Sequence, residues 1–235
     1  MPGKRKASRG PNTQAGAKRN RREQEEVVEI LAPEMEAQPA KEVWVLGDSI
    51  VHWAGERAVA RNAFKENNMD WDGKSGMTVQ ELHSAIQYSI LQGKTPTIIV
   101  LHVGGNNISS SNTCQIISII KKAIDYLFLN FPESIVVWTY ILPRLNWRNT
   151  PNTLASAKIM DLKRKNVNRK IRNYILQHSN GRCLNHKSLN RETPGFFRRD
   201  GIHLSDVGND MYILTLSEAI NTFKREKDCK ELHLG

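Results

Sequence analysis

Val43-Trp-Val-Leu-Gly-Asp-Ser-Ile50 joins a short apolar run to a polar turn. Four large apolar residues in a row, stopped by Gly-Asp-Ser, read as a strand covered on both faces that turns sharply into a helix. Ser49 then lies at the N-terminus of that helix, where free peptide N–H groups and the helix macrodipole favour negative charge. A serine hydroxyl is a weak nucleophile until a base removes its proton. Asp200-Gly-Ile-His203, far along the chain, offers an imidazole with a carboxylate three residues before it. One loop could thus carry both the base, His203, and the group that orients it, Asp200.

Outward from this segment the chain alternates between strands and helices. Strands are expected at Val43 to Leu46, Met69 to Gly73, Thr97 to Val103, Ser134 to Tyr140 and, weakly, Arg182 to Asn185. Helices are expected from Ile50 to Asn67, from the turn at Gly76 to Leu91, and over Thr113 to Asn130, Thr153 to Gln177 and Ser205 to Lys224. Near-continuous apolar strands between helices indicate an α/β fold, a three-layer α/β/α sandwich. The sheet should be parallel and flavodoxin-like, with about five strands in the order 2-1-3-4-5. The polar motifs follow strand ends, which is where open α/β sheets bind ligands.

The 235 residues divide into a tail over 1–41, a folded region over 42–226 and a C-terminal tail over 227–235. The first forty residues have no aromatic side chain and are expected to be disordered. Lys4, Arg5, Lys6, Lys18, Arg19, Arg21 and Arg22 form two basic clusters there, and an acidic segment follows. The clusters have the two-part look of a nuclear-import signal; such runs serve equally as weak, non-specific nucleic-acid arms or as solvated charge. The net charge of +10 reflects a further basic excess along Lys158 to Arg172. No run reaches the roughly 18 apolar residues of a membrane span and no signal peptide is apparent, so an intracellular protein is expected. Three widely spaced cysteines fit neither a disulfide framework nor a zinc site. No cofactor or metal is implied.

Two further loops complete the chemistry. Ester hydrolysis needs donors for the developing oxyanion. The turn at Gly76 and the segment Gly104-Gly-Asn106 follow strands two and three, on the same sheet edge as Ser49. A glycine lets its N–H approach a ligand closely, and an asparagine offers an uncharged NH₂ donor. With the Ser49 N–H these make three oxyanion donors. Gly-Asp-Ser alone occurs by chance in about one chain in twenty of this size. Four blocks in order, each at a strand end, are far more specific.

With these four blocks the chain resembles the SGNH, or GDSL-type, hydrolases. The resemblance covers about residues 42 to 225. It implies an ester substrate and a carboxylic-ester hydrolase with Ser49 as nucleophile, His203 as base, Asp200 as orienter and an oxyanion hole of Ser49, Gly76 and Asn106. Asn107 departs from the family's usual Asp, at a position that supports the loop. Lys74-Ser-Gly-Met, Leu101-His-Val-Gly-Gly-Asn, Ile141-Leu-Pro-Arg-Leu-Asn-Trp147 and the stretch from Asp200 to Asp210 resemble the esterase-type domains of vertebrate retroelements and genes derived from them. The contrasting reading makes Ser49 only a helix cap and Asp200 another, leaving a non-catalytic, nucleic-acid-associated module on the same fold.

Overall fold

The computed structural model describes residues 42–61, 68–151 and 153–235. The N-terminal segment with its basic clusters, from Lys4 to Arg22, lies outside the described residues, as does the expected continuation of the first helix to Asn67. The elements are β1 (Val43–Gly47), α1 (Ser49–Arg61), β2 (Met69–Gly73), α2 (Leu82–Leu91), β3 (Ile98–His102) and α3 (Thr113–Asn130). They continue with β4 (Ile135–Thr139), α4 (Leu154–Ile175), β5 (Gly181–His186), α5 (Asp206–Arg225) and β6 (Glu231–Leu234). A 3₁₀ turn, Val79–Glu81, leads into α2.

Every strand pairs in parallel, in the order β2-β1-β3-β4-β5-β6. Alternation along each strand divides two cores. Trp44, Leu46, Ile99, Leu101, Val136 and Trp138 pack with α2, α3 and α4 on one face. Val43, Val45, Ile98, Val100, Val137 and Leu184 pack with α1 and α5 on the other. Each such side chain contributes roughly 1.5–3 kcal/mol by leaving water, which is why strands covered on both sides carry no polar alternation.

The sheet has one strand more than expected. Glu231–Leu234, assigned from sequence to a C-terminal tail, runs alongside β5 with Cys183 opposite Glu231 and His186 opposite Leu234. Four residues with two leucines give little signal for an edge strand. Its anchor is polar: Arg172 Nε donates to both Glu231 carboxylate oxygens at 2.8 Å, and the Tyr140 hydroxyl donates to Oε1 at 2.8 Å.

The topology also locates the site. β1 is flanked by β2 and β3, with Gly47 level with Gly73 on one side and His102 on the other. The loops leaving these three strands therefore emerge together, at the point where the strand order reverses direction. Gly47 must be glycine for space: a Cβ there would stand 2.1 Å from the His102 carbonyl oxygen.

Candidate active site

Helix α1 begins with two adjacent residues in different roles. Asp48 caps it, its Oδ1 accepting the Ile50 N–H at 3.0 Å and its carbonyl accepting the His52 N–H at 3.1 Å. The Asp48 N–H is itself tied to the His102 carbonyl at 3.0 Å, fixing the turn to the end of β3. Capping therefore falls to Asp48, and the Ser49 hydroxyl is left for another partner. That partner is His203, whose Nε2 lies 3.1 Å from Ser49 Oγ across 154 positions of sequence.

His203 is held from behind. Its Nδ1 lies 2.7 Å from Asp200 Oδ2, while Asp200 Oδ1 accepts the N–H groups of Ile202 at 2.8 Å and His203 at 3.0 Å. Burial raises the Asp200 pKa, but the hydrogen bonds from the His203 and Ile202 N–H groups and from the imidazole outweigh it, and the carboxyl settles at about 2. A carboxylate can only accept, so Nδ1 carries the imidazole proton and the Nε2 lone pair faces Ser49. Asp200 is not a helix cap, since Ser205 caps α5 by accepting the Gly208 N–H at 3.1 Å.

The second and third loops are bolted together. Lys74 to Met77 form a turn closed by the Met77 N–H to the Lys74 carbonyl at 3.1 Å, with Gly76 at φ +78°. Nothing crowds a Cβ at Gly76, so the backbone conformation is what calls for glycine. The Lys74 ammonium donates to Glu81 at 2.6 Å, and Glu81 accepts the Thr78 N–H at 2.9 Å. These bonds, Lys74 first, bring the Glu81 pKa down to about 2. Asn106 reaches this turn directly, its Nδ2 donating to the Met77 carbonyl at 2.9 Å. Asn107 bolts the loops a second time. Its Oδ1 accepts the Val79 N–H and its Nδ2 donates to Gln80 Oε1, both at 2.9 Å. The amide is thus fully employed where an Asp would have a carboxylate, and the loop is well supported.

The loop after β4 was not assigned a role from sequence, and it closes the site. Asn146 Nδ2 donates to the Asp200 carbonyl at 2.9 Å, and the Leu145 and Asn146 N–H groups bind the Gly201 carbonyl at 2.8 and 3.0 Å. Arg144 is buried beside Asn106 and Asp48. The available signal was position alone, since Ile141 to Trp147 follows a buried strand on the same sheet edge as the four motif loops. Trp53, one turn along α1 from Ser49, carries the Arg198 guanidinium 4.3 Å above its ring. Arg198 in turn donates its N–H to the His203 carbonyl at 2.8 Å.

Two other histidines are buried nearby. His102 donates from Nδ1 to Thr139 Oγ1 at 2.8 Å, a direction fixed because that hydroxyl gives its own proton to the Leu101 carbonyl at 2.9 Å. His186 stands 2.6 Å from Thr215 Oγ1, with its Nε2 buried and unpaired. Burial lowers the pKa of His186 to about 3, helped by His102, and burial likewise lowers that of His102, with Asp48 opposing and Arg144 adding to the fall. Both imidazoles are therefore neutral in the fold and take up protons more readily once unfolded. Stability should be at full strength above the ordinary histidine value of 6.5 and be lost as the pH falls from there toward about 3. His186 adds a slope of at most about 1.4 kcal/mol per pH unit within that window, and His102 adds to the loss in the same direction below 6.5. Urea unfolding compared at about pH 7 and about pH 5 tests this. His186→Gln should narrow the difference between the two, and an unchanged difference would contradict the assignment. Among the described residues, no cluster of three or more His, Cys, Asp or Glu side chains is arranged to hold a metal ion.

Comparison with solved structures follows the same lines. A GDSL-like lipase from Bacteroides thetaiotaomicron superimposes with a TM-score of 0.61 at 19% identity, over 87% of this chain and 97% of that one. A lipolytic G-D-S-L family protein from Veillonella parvula gives 0.60 at 16% identity, over 78% and 98%. The fold is that of the GDSL-type hydrolases. A carbohydrate esterase family 3 enzyme from Talaromyces cellulolyticus shares it at a TM-score of 0.56 and 17% identity, over 79% of this chain and 98% of that one. No family model matches the chain, and no curated protein matches it in sequence. Among the described residues no helix is long and apolar enough to cross a membrane.

Proposed function

We propose that the chain is a carboxylic-ester hydrolase that works through a Ser49 acyl-enzyme. The observation that carries this reading is the unbroken hydrogen-bond chain from Ser49 Oγ through His203 to Asp200, set at the N-terminus of α1. A purely structural account explains it poorly. A helix cap is worth about 1 kcal/mol, and Asp48 already supplies it.

In the reaction, Ser49 Oγ attacks the ester carbonyl while His203 Nε2 takes its proton. The charge on the former carbonyl oxygen is met by the Ser49 and Gly76 N–H groups and by the Asn106 NH₂. Among the described residues neither backbone N–H is engaged within the protein, and Asn106 keeps one N–H beyond its bond to Met77. His203 then returns the proton to the departing alcohol. A water, deprotonated by the same imidazole, releases the acid and restores the serine. The resemblance of the segments from Lys74, Leu101, Ile141 and Asp200 further supports a domain of the retroelement type.

Reaction with a fluorophosphonate, read by intact mass and peptide mapping, tests the proposal. One phosphonyl adduct on Ser49 is expected. No adduct, or one on a different residue, would overturn it.

A further inference from the structure

We propose that Arg144 is a positioning residue for the oxyanion hole, holding the Asn106 amide with its NH₂ toward the reacting ester; this rests on the esterase reading above. Arg144 is only 4% exposed, and no ion pair compensates it well. Its Nη2 lies 4.0 Å from Asp48 Oδ2, which makes no hydrogen bond at all, and the guanidinium sits 5.5 Å from the Trp147 ring centre. Its hydrogen bond runs instead from Nη2 to Asn106 Oδ1, at 3.2 Å.

Burying a guanidinium is costly, and an apolar side chain of similar size would serve a packing role as well or better. The chain nonetheless makes room for this one. A Cβ on Gly105 would stand 2.5 Å from Arg144 Nη2, so the glycine before Asn106 is occupied by the guanidinium. Burial lowers the Arg144 pKa, with Asp48 opposing the fall, but arginine remains charged in proteins.

The two ends of an asparagine amide are nearly the same size, and a flip exchanges a donor for an acceptor. At an oxyanion site that exchange would set oxygen against oxygen. Arg144 donates to Oδ1 while the Met77 carbonyl accepts from Nδ2, so the two fix opposite ends of one amide. Met77 opposes a flip through the bond its carbonyl would lose and the oxygen–oxygen repulsion that would replace it. Arg144 adds a second bond that a flip would break, from a charged donor to the opposite end of the amide.

The effect should therefore fall on kcat and pass through Asn106. Hydrolysis of p-nitrophenyl acetate is measured for wild type, Arg144→Ala, Asn106→Ala and the double variant. Arg144→Ala should lower kcat by up to about 10², within the range for loss of one oxyanion donor, with KM little changed. In the Asn106→Ala background the same substitution should have almost no further effect. Added guanidinium ion, at concentrations far below those that denature, should restore part of the activity of Arg144→Ala and none of the double variant. If Arg144→Ala does not fold, Arg144→Lys keeps a charge beside Asp48 but lacks the planar fork, and it replaces alanine in the same cycle. Additive losses, or a change in KM alone, would overturn the positioning role while the esterase stands. Failure of the wild type to hydrolyse the ester or react with the phosphonate would overturn both.

Discussion

Ser49→Ala should lower turnover of p-nitrophenyl acetate by about 10⁶, leaving the residual rate that binding and oxyanion donors give without a nucleophile. The size of the loss follows from the geometry. Among the described residues the only hydroxyl placed against the His203 Nε2 lone pair is that of Ser49, at 3.1 Å, and alanine leaves the base with nothing to deprotonate but water. The variant should fold normally, because the cap on α1 belongs to Asp48 and the start of that helix is tied to β3 through the Asp48 N–H. Circular dichroism and urea unfolding run beside the kinetics separate loss of chemistry from loss of fold. A fully folded variant that still turned over ester at the wild-type rate would remove Ser49 from the mechanism.

Much of this arrangement was legible in the sequence because it is dictated locally. Val43 to Leu46, Ile98 to Leu101 and Val136 to Trp138 are apolar on both faces, which only a strand sandwiched between helices can use. Once they are parallel, the residues just past their ends share an edge, which places Ser49 and Asn106 together; Gly76 joins them from the end of β2, parallel to β1. Pairing His203 with Ser49 needed chemistry rather than pattern, since nothing local links positions so far apart. What stayed hidden depends on contacts that pattern does not encode. The edge strand β6 is held by Arg172 and Tyr140 meeting one glutamate, an arrangement with no periodicity. The division of labour between Asp48 and Ser49 at one helix start is a matter of which side chain turns back to the Ile50 N–H. The sequence shows Arg144 only as part of the Ile141 to Trp147 segment and gives no sign of its burial. Its burial is set by Gly105, Asn106 and Trp147, which the fold assembles from two loops.

Asp200→Asn should reduce kcat by about 10⁴ while preserving the loop that carries it. The two carboxylate oxygens do separate jobs. Oδ1 accepts the Ile202 and His203 N–H groups at 2.8 and 3.0 Å and so builds the turn. Oδ2 accepts the imidazole Nδ1–H at 2.7 Å and so sets the tautomer. An asparagine oxygen can still take the backbone N–H groups, which directs its NH₂ at His203 Nδ1. That nitrogen must then accept, the imidazole proton moves to Nε2, and a donor faces the Ser49 hydroxyl where a base is required. The loss corresponds to about 5.5 kcal/mol of barrier, from exchanging one oxygen for an NH₂. Asp200→Ala removes the turn-building oxygen as well, and should therefore cost activity and loosen the loop that Asn146 clamps. The wild-type carboxyl, with its pKa at about 2, stays ionised throughout the range in which ester hydrolysis can be assayed, so this group contributes no acid limb above about pH 3. Steady-state kinetics of the two variants decide the matter. A loss smaller than tenfold in Asp200→Asn would mean that another group orients His203.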